Sequence, residues 1–409
     1  MAASRGAPPI LDFSPFYGDD ATAKANLVEQ VRQCCLYNGF FQITGHRVPA
    51  ELQRKVLECS KRFFNLPLEQ KDKINKGPSL RPPHHYSLNI SIYPTPPPPA
   101  QPILTPPTPD KTTWNRGYEL LRSQMLEPNT SPELKEGLYI GEDLPTSHPY
   151  FINKKLNSGP NQWPEDIADL AEFKQTSMDY YHAVFEQAKD ILRVLALTLG
   201  LDEGFFDSFT EGAVATMRFL HYPPQPADGE ETLNRGIGAH TDFGAVTLLL
   251  QDEVDGLQVL DKGSGEWVDV GLLFFLFKPP FYLLYFPPSP LSYQKKQVPP
   301  TPSAYVVNLG NLFMRWSNDK YISNIHRVIN KSGRERYSIP FFFSGNPDYV
   351  CECLPNCLDL EEGTKEAEGG KYAPASVEEL ISKSYKESYG RAEVFKKEAA
   401  GVGVGVAAA

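Results

Sequence analysis

The sequence predicts an α+β protein whose second half forms a β-sandwich or barrel. Two observations support this: stretches with apolar residues at helical spacing lie before Gly200, and seven short β-rich runs separated by turns lie after it. Taken in order, residues 22–38 place Leu27, Val28, Val31 and Cys35 at helical spacing, and Gly39-Phe40-Phe41-Gln42-Ile43 then reads as a strand. Pro49 to Phe64 is the next helix, closed by Asn65 and Pro67. The longest helix is expected to open at Pro164-Glu165-Asp166, with proline at its first position and acids in its first turn. It runs through Ile167, Leu170, Tyr181, Phe185, Ile191, Leu195 and Leu199 to stop at Gly200. The strands expected after it are Thr216–Tyr222, Ala245–Gln251, Leu257–Leu260, Glu266–Val270, Tyr305–Leu309, Ile322–Ile329 and Tyr337–Phe343. The Ala/Gly/Val tail after Glu398 is low in complexity and is expected to be disordered.

The 409 residues include 40 Lys+Arg and 50 Asp+Glu, a formal charge of −10. Such a chain has no sequence-wide means of neutralising phosphates, which argues against nucleic acid or an anionic membrane as its main partner. Met1 to Pro9 lacks the basic stretch and apolar core of a secretory signal, so a cytoplasmic location is expected. Six cysteines do not make a disulfide scaffold; Cys34 and Cys35 sit in an expected helix and read as core. Cys351, Cys353 and Cys357 cluster, but a structural zinc wants four ligands and no fourth Cys or His lies nearby.

Proline is the outlier, with 38 in the chain, about twice the roughly 5% of average usage. Twelve fall in residues 78–109 and eight in 279–302. The first block shows neither strand alternation nor helical spacing. In the second, Lys278-Pro279-Pro280 splits two apolar runs, Gly271–Phe277 and Phe281–Phe286, so neither reaches the roughly 20 uninterrupted residues of a membrane span.

The chemistry concentrates in the β-rich half. His240-Thr241-Asp242 sets an imidazole and a carboxylate two residues apart, on one face of an extended chain, and His326 offers a third ligand downstream. Two histidines and one carboxylate with open positions are the ligand set of non-haem iron(II) oxygenases. A hydrogen-bonded core histidine beside a surface acid is the plainer alternative. Ten residues on, Arg336-Tyr337-Ser338 places a guanidinium and a hydroxyl on one strand face, leading into Ile339-Pro340-Phe341-Phe342-Phe343. A buried arginine needs an anion, either a dicarboxylate cosubstrate or an internal Asp or Glu. Phe341 and Phe343 read as core before pocket lining.

Together these residues resemble the 2-oxoglutarate and iron(II)-dependent dioxygenase superfamily, in the branch of isopenicillin N synthase, as a fungal member. The resemblance runs from Pro9-Ile10-Leu11-Asp12-Phe13 to about Tyr389. It includes Asn38-Gly39-Phe40-Phe41-Gln42-Ile43-Thr44-Gly45-His46, Arg116-Gly117-Tyr118, Asn308-Leu309-Gly310-Asn311 and Trp316-Ser317-Asn318 besides the motifs above. It implies a double-stranded β-helix (jelly-roll) core with N-terminal helices and a long supporting helix. It also implies that His240, Asp242 and His326 hold Fe(II), and that Arg336 and Ser338 bind the distal carboxylate of 2-oxoglutarate with help from Tyr222. Leu220 stands where many relatives carry Asn. O2 is the oxidant and ascorbate an accessory reductant; no catalytic residue is implied beyond the metal centre.

The implied activity is hydroxylation or desaturation of a small molecule by a monomer, with release of succinate and CO2. The alternatives are an oxidase of the same fold that uses no 2-oxoglutarate, and an inactive product of a mispredicted gene model. By the same resemblance residues 1–205 form the N-terminal region, 206–345 the jelly-roll domain, and 346–409 a C-terminal helix and tail. Residues 79–113 and 271–297 have no counterpart in the family pattern. They read either as translated introns or as genuine loop insertions, which a β-sandwich tolerates at modest closure cost.

Overall fold

The computed structural model describes residues 7–76, 114–128, 130–225, 235–270, 304–358 and 370–389. Strand β1 (Ile10–Asp12), helix α1 (Ala21–Tyr37), strand β2 (Phe40–Thr44) and helices α2 (Ala50–Phe64) and α3 (Leu68–Asp72) open the chain. Asp20 caps α1 by accepting from the Thr22 and Ala23 N–H groups. Next come β3 (Gly117–Glu119), β4 (Glu136–Ile140), α4 (Pro149–Ile152), α5 (Leu170–Thr198) and α6 (Asp207–Thr210). The β-rich part contains β5 (Val214–Tyr222), β6 (Ile237–His240), β7 (Val246–Gln251), β8 (Leu257–Leu260), β9 (Trp267–Asp269) and β10 (Tyr305–Leu309). Helix α7 (Asn311–Trp316), β11 (His326–Val328) and β12 (Arg336–Gly345) complete it. The short pair β13 (Val350–Cys351) and β14 (Ala375–Ser376) precedes helical residues 377–389.

The main sheet has eight strands in the order β1-β2-β10-β7-β12-β5-β4-β3, and a second sheet has the order β6-β11-β8-β9. Phe40, Leu220, Tyr222 and Val306 from the main sheet pack with Ile237, Leu257, Val259 and Val328 from the second, so the sheets face each other across an apolar interior. The opposite face of the main sheet is covered by helices: Phe173, Tyr180, Tyr181, Val184 and Ile191 of α5 join Leu248, Val307, Phe341 and Phe343 in one core. This is the jelly-roll and supporting helix that the family resemblance implied. The main sheet draws strands from both sides of residue 205.

Three local expectations change. Helix α5 begins at Leu170 and not at Pro164, because Asp169 takes a left-handed conformation (φ 51°) and its carboxylate accepts from the Glu172 N–H at 3.3 Å. The strand expected over Ile322–Ile329 contracts to His326–Val328; Asn324 bonds the Leu260 carbonyl and the Ile325 N–H through its side chain instead of extending a ladder. Strands β1, β3, β4, β6, β13 and β14 are absent from the expected set; β4 is buried at all five residues and so shows no alternation. The expected inserts and the tail after Glu398 lie outside the described residues. Among the described residues, no helix is long and apolar enough to cross a membrane. Cys34, Cys35, Cys351 and Cys357 are buried and form no disulfide among the described residues.

Candidate active site

Strand pairing assembles the histidines. His326 of β11 is the cross-strand partner of His240 of β6, and their ring centroids lie 4.2 Å apart. Asp242 follows two residues after β6. Its Oδ1 lies 3.5 Å from His240 Nε2 and 3.6 Å from His326 Nε2, and the three ligand atoms are all within 4.8 Å of one another. Among the described residues no other group of three His, Cys, Asp or Glu side chains could hold a metal, the cysteine cluster included.

The surroundings leave the inward-facing atoms free. His240 Nδ1 sits 2.8 Å from the Gly238 carbonyl and His326 Nδ1 sits 3.2 Å from the Asn324 carbonyl. A proton on each Nδ1 satisfies those carbonyls and leaves Nε2 as a lone pair facing Asp242. The other carboxylate oxygen, Asp242 Oδ2, accepts from Thr247 Oγ1 and Asn308 Nδ2, both at 2.7 Å. Thr247 and Asn308 are cross-strand partners on β7 and β10, so the sheet register delivers both donors to one atom. Burial, with the charge of His240, lowers the His326 pKa to about 4, which keeps it neutral at pH 7. Burial opposes ionisation of Asp242, but the two imidazoles and the Asn308 bond outweigh it and hold the carboxyl below its ordinary range. A neutral His326 and an ionised Asp242 are the protonation states in which these two groups bind a divalent cation. Asp242 is only 5% exposed, so this is not a surface acid beside a core histidine. Gly310 is required here: a Cβ on it would lie 2.1 Å from the Gly244 carbonyl, in the loop that positions Asp242.

Arg336 and Ser338 are both fully buried. The guanidinium donates to the Val254 carbonyl at 3.2 Å, to Ser338 Oγ at 3.3 Å and to Gln251 Oε1 at 2.7 Å. It lies 4.7 Å over the ring of Tyr222, its cross-strand partner, and Ser338 Oγ is 3.5 Å from the Tyr222 hydroxyl. Asp252 and Asp255 are near enough to feel its charge, but among the described residues neither forms an ion pair with it. Asp252 is occupied by the N–H groups of Val254 and Tyr337. The internal-acid alternative for Arg336 is therefore not realised, and its neutral partners leave a charge for an incoming carboxylate. Leu220 contributes only to the apolar wall between the sheets.

Beside the metal-ligand group lies a cavity of about 40 Å³, partly open to solvent, lined by His240, Asp242, Leu126, Arg218, Phe342 and Tyr385 among others. Phe341 and Phe343 point away from it into the helix-covered core, with ring centroids 5.2 Å from Tyr181 and 5.1 Å from Phe185. The aromatic residue of β12 at the cavity is Phe342. Counting by twos from Arg336 and Ser338 along the strand identifies it. Thr247, Asn308 and Gln251 also escaped the sequence reading as site residues. Their signal is a polar side chain on the inward parity of an otherwise apolar strand.

Comparison with known proteins shows the family and the fold. A family model described as "non-haem dioxygenase in morphine synthesis N-terminal" matches residues 8–89, and one described as "2OG-Fe(II) oxygenase superfamily" matches residues 213–285 and 281–345. The 2-oxoglutarate-Fe(II) type oxidoreductase hxnY of Emericella nidulans is 58% identical over 394 residues, covering 96% of this chain and 94% of that protein. A 2-oxoglutarate-Fe(II) type oxidoreductase of Aspergillus fumigatus is 47% identical over 395 residues, covering 97% of each. In fold, the chain is similar to the crystal structure of a full-length Neurospora crassa protein in complex with alpha-KG and 5-formyluracil. There the TM-score is 0.65 at 24% identity, with 93% of this chain and 97% of the other covered.

Proposed function

Because this chain belongs to the 2OG-Fe(II) oxygenase superfamily and is a 2-oxoglutarate-dependent dioxygenase, we propose that His240, Asp242 and His326 are its iron ligands and that Arg336, Ser338 and Tyr222 form its 2-oxoglutarate site. The observation that carries the ligand assignment is the orientation of free donor atoms. Both Nδ1 atoms face carbonyls and Asp242 Oδ2 is doubly bonded, so Nε2, Nε2 and Oδ1 converge. Iron(II) with 2-oxoglutarate supplies the activation of O2 that oxidises a substrate C–H bond, with release of succinate and CO2.

The chain's own contribution is binding and orientation. Arg336 presents its fork to the distal carboxylate, Ser338 adds a hydroxyl, and the Tyr222 ring holds the guanidinium in plane from below. Thr247 and Asn308 fix the Asp242 carboxylate so that one oxygen stays available. The cavity beside the ligand group receives the small-molecule substrate, with Leu126 and Phe342 as apolar wall. Ile381 and Tyr385, from helical residues 377–389, help enclose it and limit water. None of these groups is required to abstract a proton, and hydroxylation or desaturation is the expected outcome.

The test is anaerobic addition of Fe(II) and 2-oxoglutarate, which should produce a weak metal-to-ligand charge-transfer band. Arg336→Gln should raise the 2-oxoglutarate Kd by about 30-fold or more, the loss of a charge-assisted bidentate contact. A band absent from wild type, or unchanged 2-oxoglutarate affinity in Arg336→Gln, would refute the assignment.

A further inference from the structure

Arg218 is a second buried guanidinium, at the opposite end of the inner face from Arg336. Along β5, Arg218, Leu220 and Tyr222 alternate onto one face, so Arg218 and Tyr222 are separated by roughly 13 Å of strand. Tyr222 lies beneath Arg336, whereas Arg218 lines the cavity that also contains His240 and Asp242. Arg218 is 7% exposed. Among the described residues it makes no hydrogen bond or ion pair, and its Nε is enclosed without a partner. Its two faces are covered by the rings of Tyr139, at 4.2 Å, and Phe342, at 4.9 Å. With both faces covered, the in-plane N–H groups are what it has left to offer.

Glu119 is near enough to feel the charge of Arg218, but among the described residues it forms no ion pair or hydrogen bond with it. Glu119 is 2% exposed and engaged by Lys76 at 3.0 Å and Lys135 at 3.1 Å, and it accepts further from the Tyr139 and Tyr389 hydroxyls at 2.9 Å each. Within the cavity lining, Arg218 is the one guanidinium or ammonium group, and the one carboxylate, Asp242, faces the two histidines. A buried guanidinium with no direct ion pair or hydrogen bond keeps unfilled donors, and an anion of matching shape can take them.

We propose that Arg218 is the substrate anchor: it receives a carboxylate of the prime substrate through its in-plane N–H groups and so selects small carboxylic acids, setting a C–H bond of that molecule beside His240, Asp242 and His326. This rests on the reading of those three as iron ligands and of Arg336 as the cosubstrate site. The ring sandwich favours a planar, two-oxygen acceptor, and the apolar surfaces of Leu126 and Phe342 suit a hydrocarbon or aromatic body.

The full chain, held anaerobically with Fe(II) and saturating 2-oxoglutarate, would be titrated with benzoate, cyclohexanecarboxylate and hexanoate, and with the amide of each. Binding is followed by calorimetry and by the charge-transfer band. At least one acid should bind about tenfold or more tightly than its amide. Arg218→Gln should reduce that preference to about twofold or less, and Arg218→Lys should retain part of it. Should Arg218→Gln not fold, an unchanged preference in Arg218→Lys overturns the proposal. So does a wild type that prefers no acid over its amide, or a preference that survives Arg218→Gln. An acid that erases the band by displacing 2-oxoglutarate is binding at Arg336 and also counts against it. A wild type that shows no band before any acid is added fails the iron and 2-oxoglutarate assignment instead. The acid and amide comparison by calorimetry on that protein then tests Arg218 alone.

Discussion

Replacing Asn308 with alanine removes one of two donors from the buried oxygen of Asp242, without touching any of the three proposed ligand atoms. Asn308 Nδ2 and Thr247 Oγ1 both stand 2.7 Å from Asp242 Oδ2, and the carboxylate is 5% exposed, so water does not substitute freely. A hydrogen bond to a charged group contributes about 1.5–3 kcal/mol. Loss of a partner that orients a metal ligand typically lowers metal affinity about 10–100-fold, or about 1.4–2.7 kcal/mol, and the two ranges agree. Thr247→Val should have an effect of the same order. The double variant should lose more than the product of the singles, because the last donor to a buried oxygen is then gone. Fe(II) affinity measured anaerobically against a chromogenic chelator reads this directly, with circular dichroism and thermal midpoints verifying the fold. Fe(II) affinities within about twofold of wild type in both single variants would refute the idea that this cross-strand pair orients Asp242.

Three further outcomes are expected. His326, depressed from 6.5 to about 4, binds a proton in the unfolded chain before it does so in the native one. Metal-free protein should therefore lose up to about 3 kcal/mol of stability as pH falls from 6.5 to 4, and His326→Gln should flatten that limb of the urea-midpoint profile. Phe341→Ala, which empties a fully buried site against Tyr181, should cost about 3–5 kcal/mol, whereas Phe342→Ala at the cavity should cost clearly less. Equal losses by urea denaturation would overturn the parity assignment of β12. Lys135→Met removes a buried partner 3.1 Å from Glu119 and should destabilise by about 3–5 kcal/mol; a loss below about 1 kcal/mol would show that Lys76 alone suffices.

The sequence by itself determined the class of fold, the helices α1 and α2, most of the jelly-roll strands and the identities of the central polar residues. These were legible because their signals are local. Helical spacing, short β-rich runs and His240-Thr241-Asp242 or Arg336-Tyr337-Ser338 each lie within a few residues. Tertiary structure decided which side of each strand counts and which distant groups meet. Phe342, not Phe341 or Phe343, reaches the cavity because parity is set by which sheet face the helices cover. Thr247 and Asn308 find the same oxygen only through the register of β7 with β10, across most of the β-rich half. The start of α5 depended on the backbone angle at Asp169, which outweighed the proline signal at Pro164. Arg218 gave no local sign at all. Its lack of a direct ion pair is a property of the packed interior, where Glu119 is engaged by lysines from two other segments. An unpartnered buried donor is a fact about three-dimensional neighbours, and a linear chain does not record it.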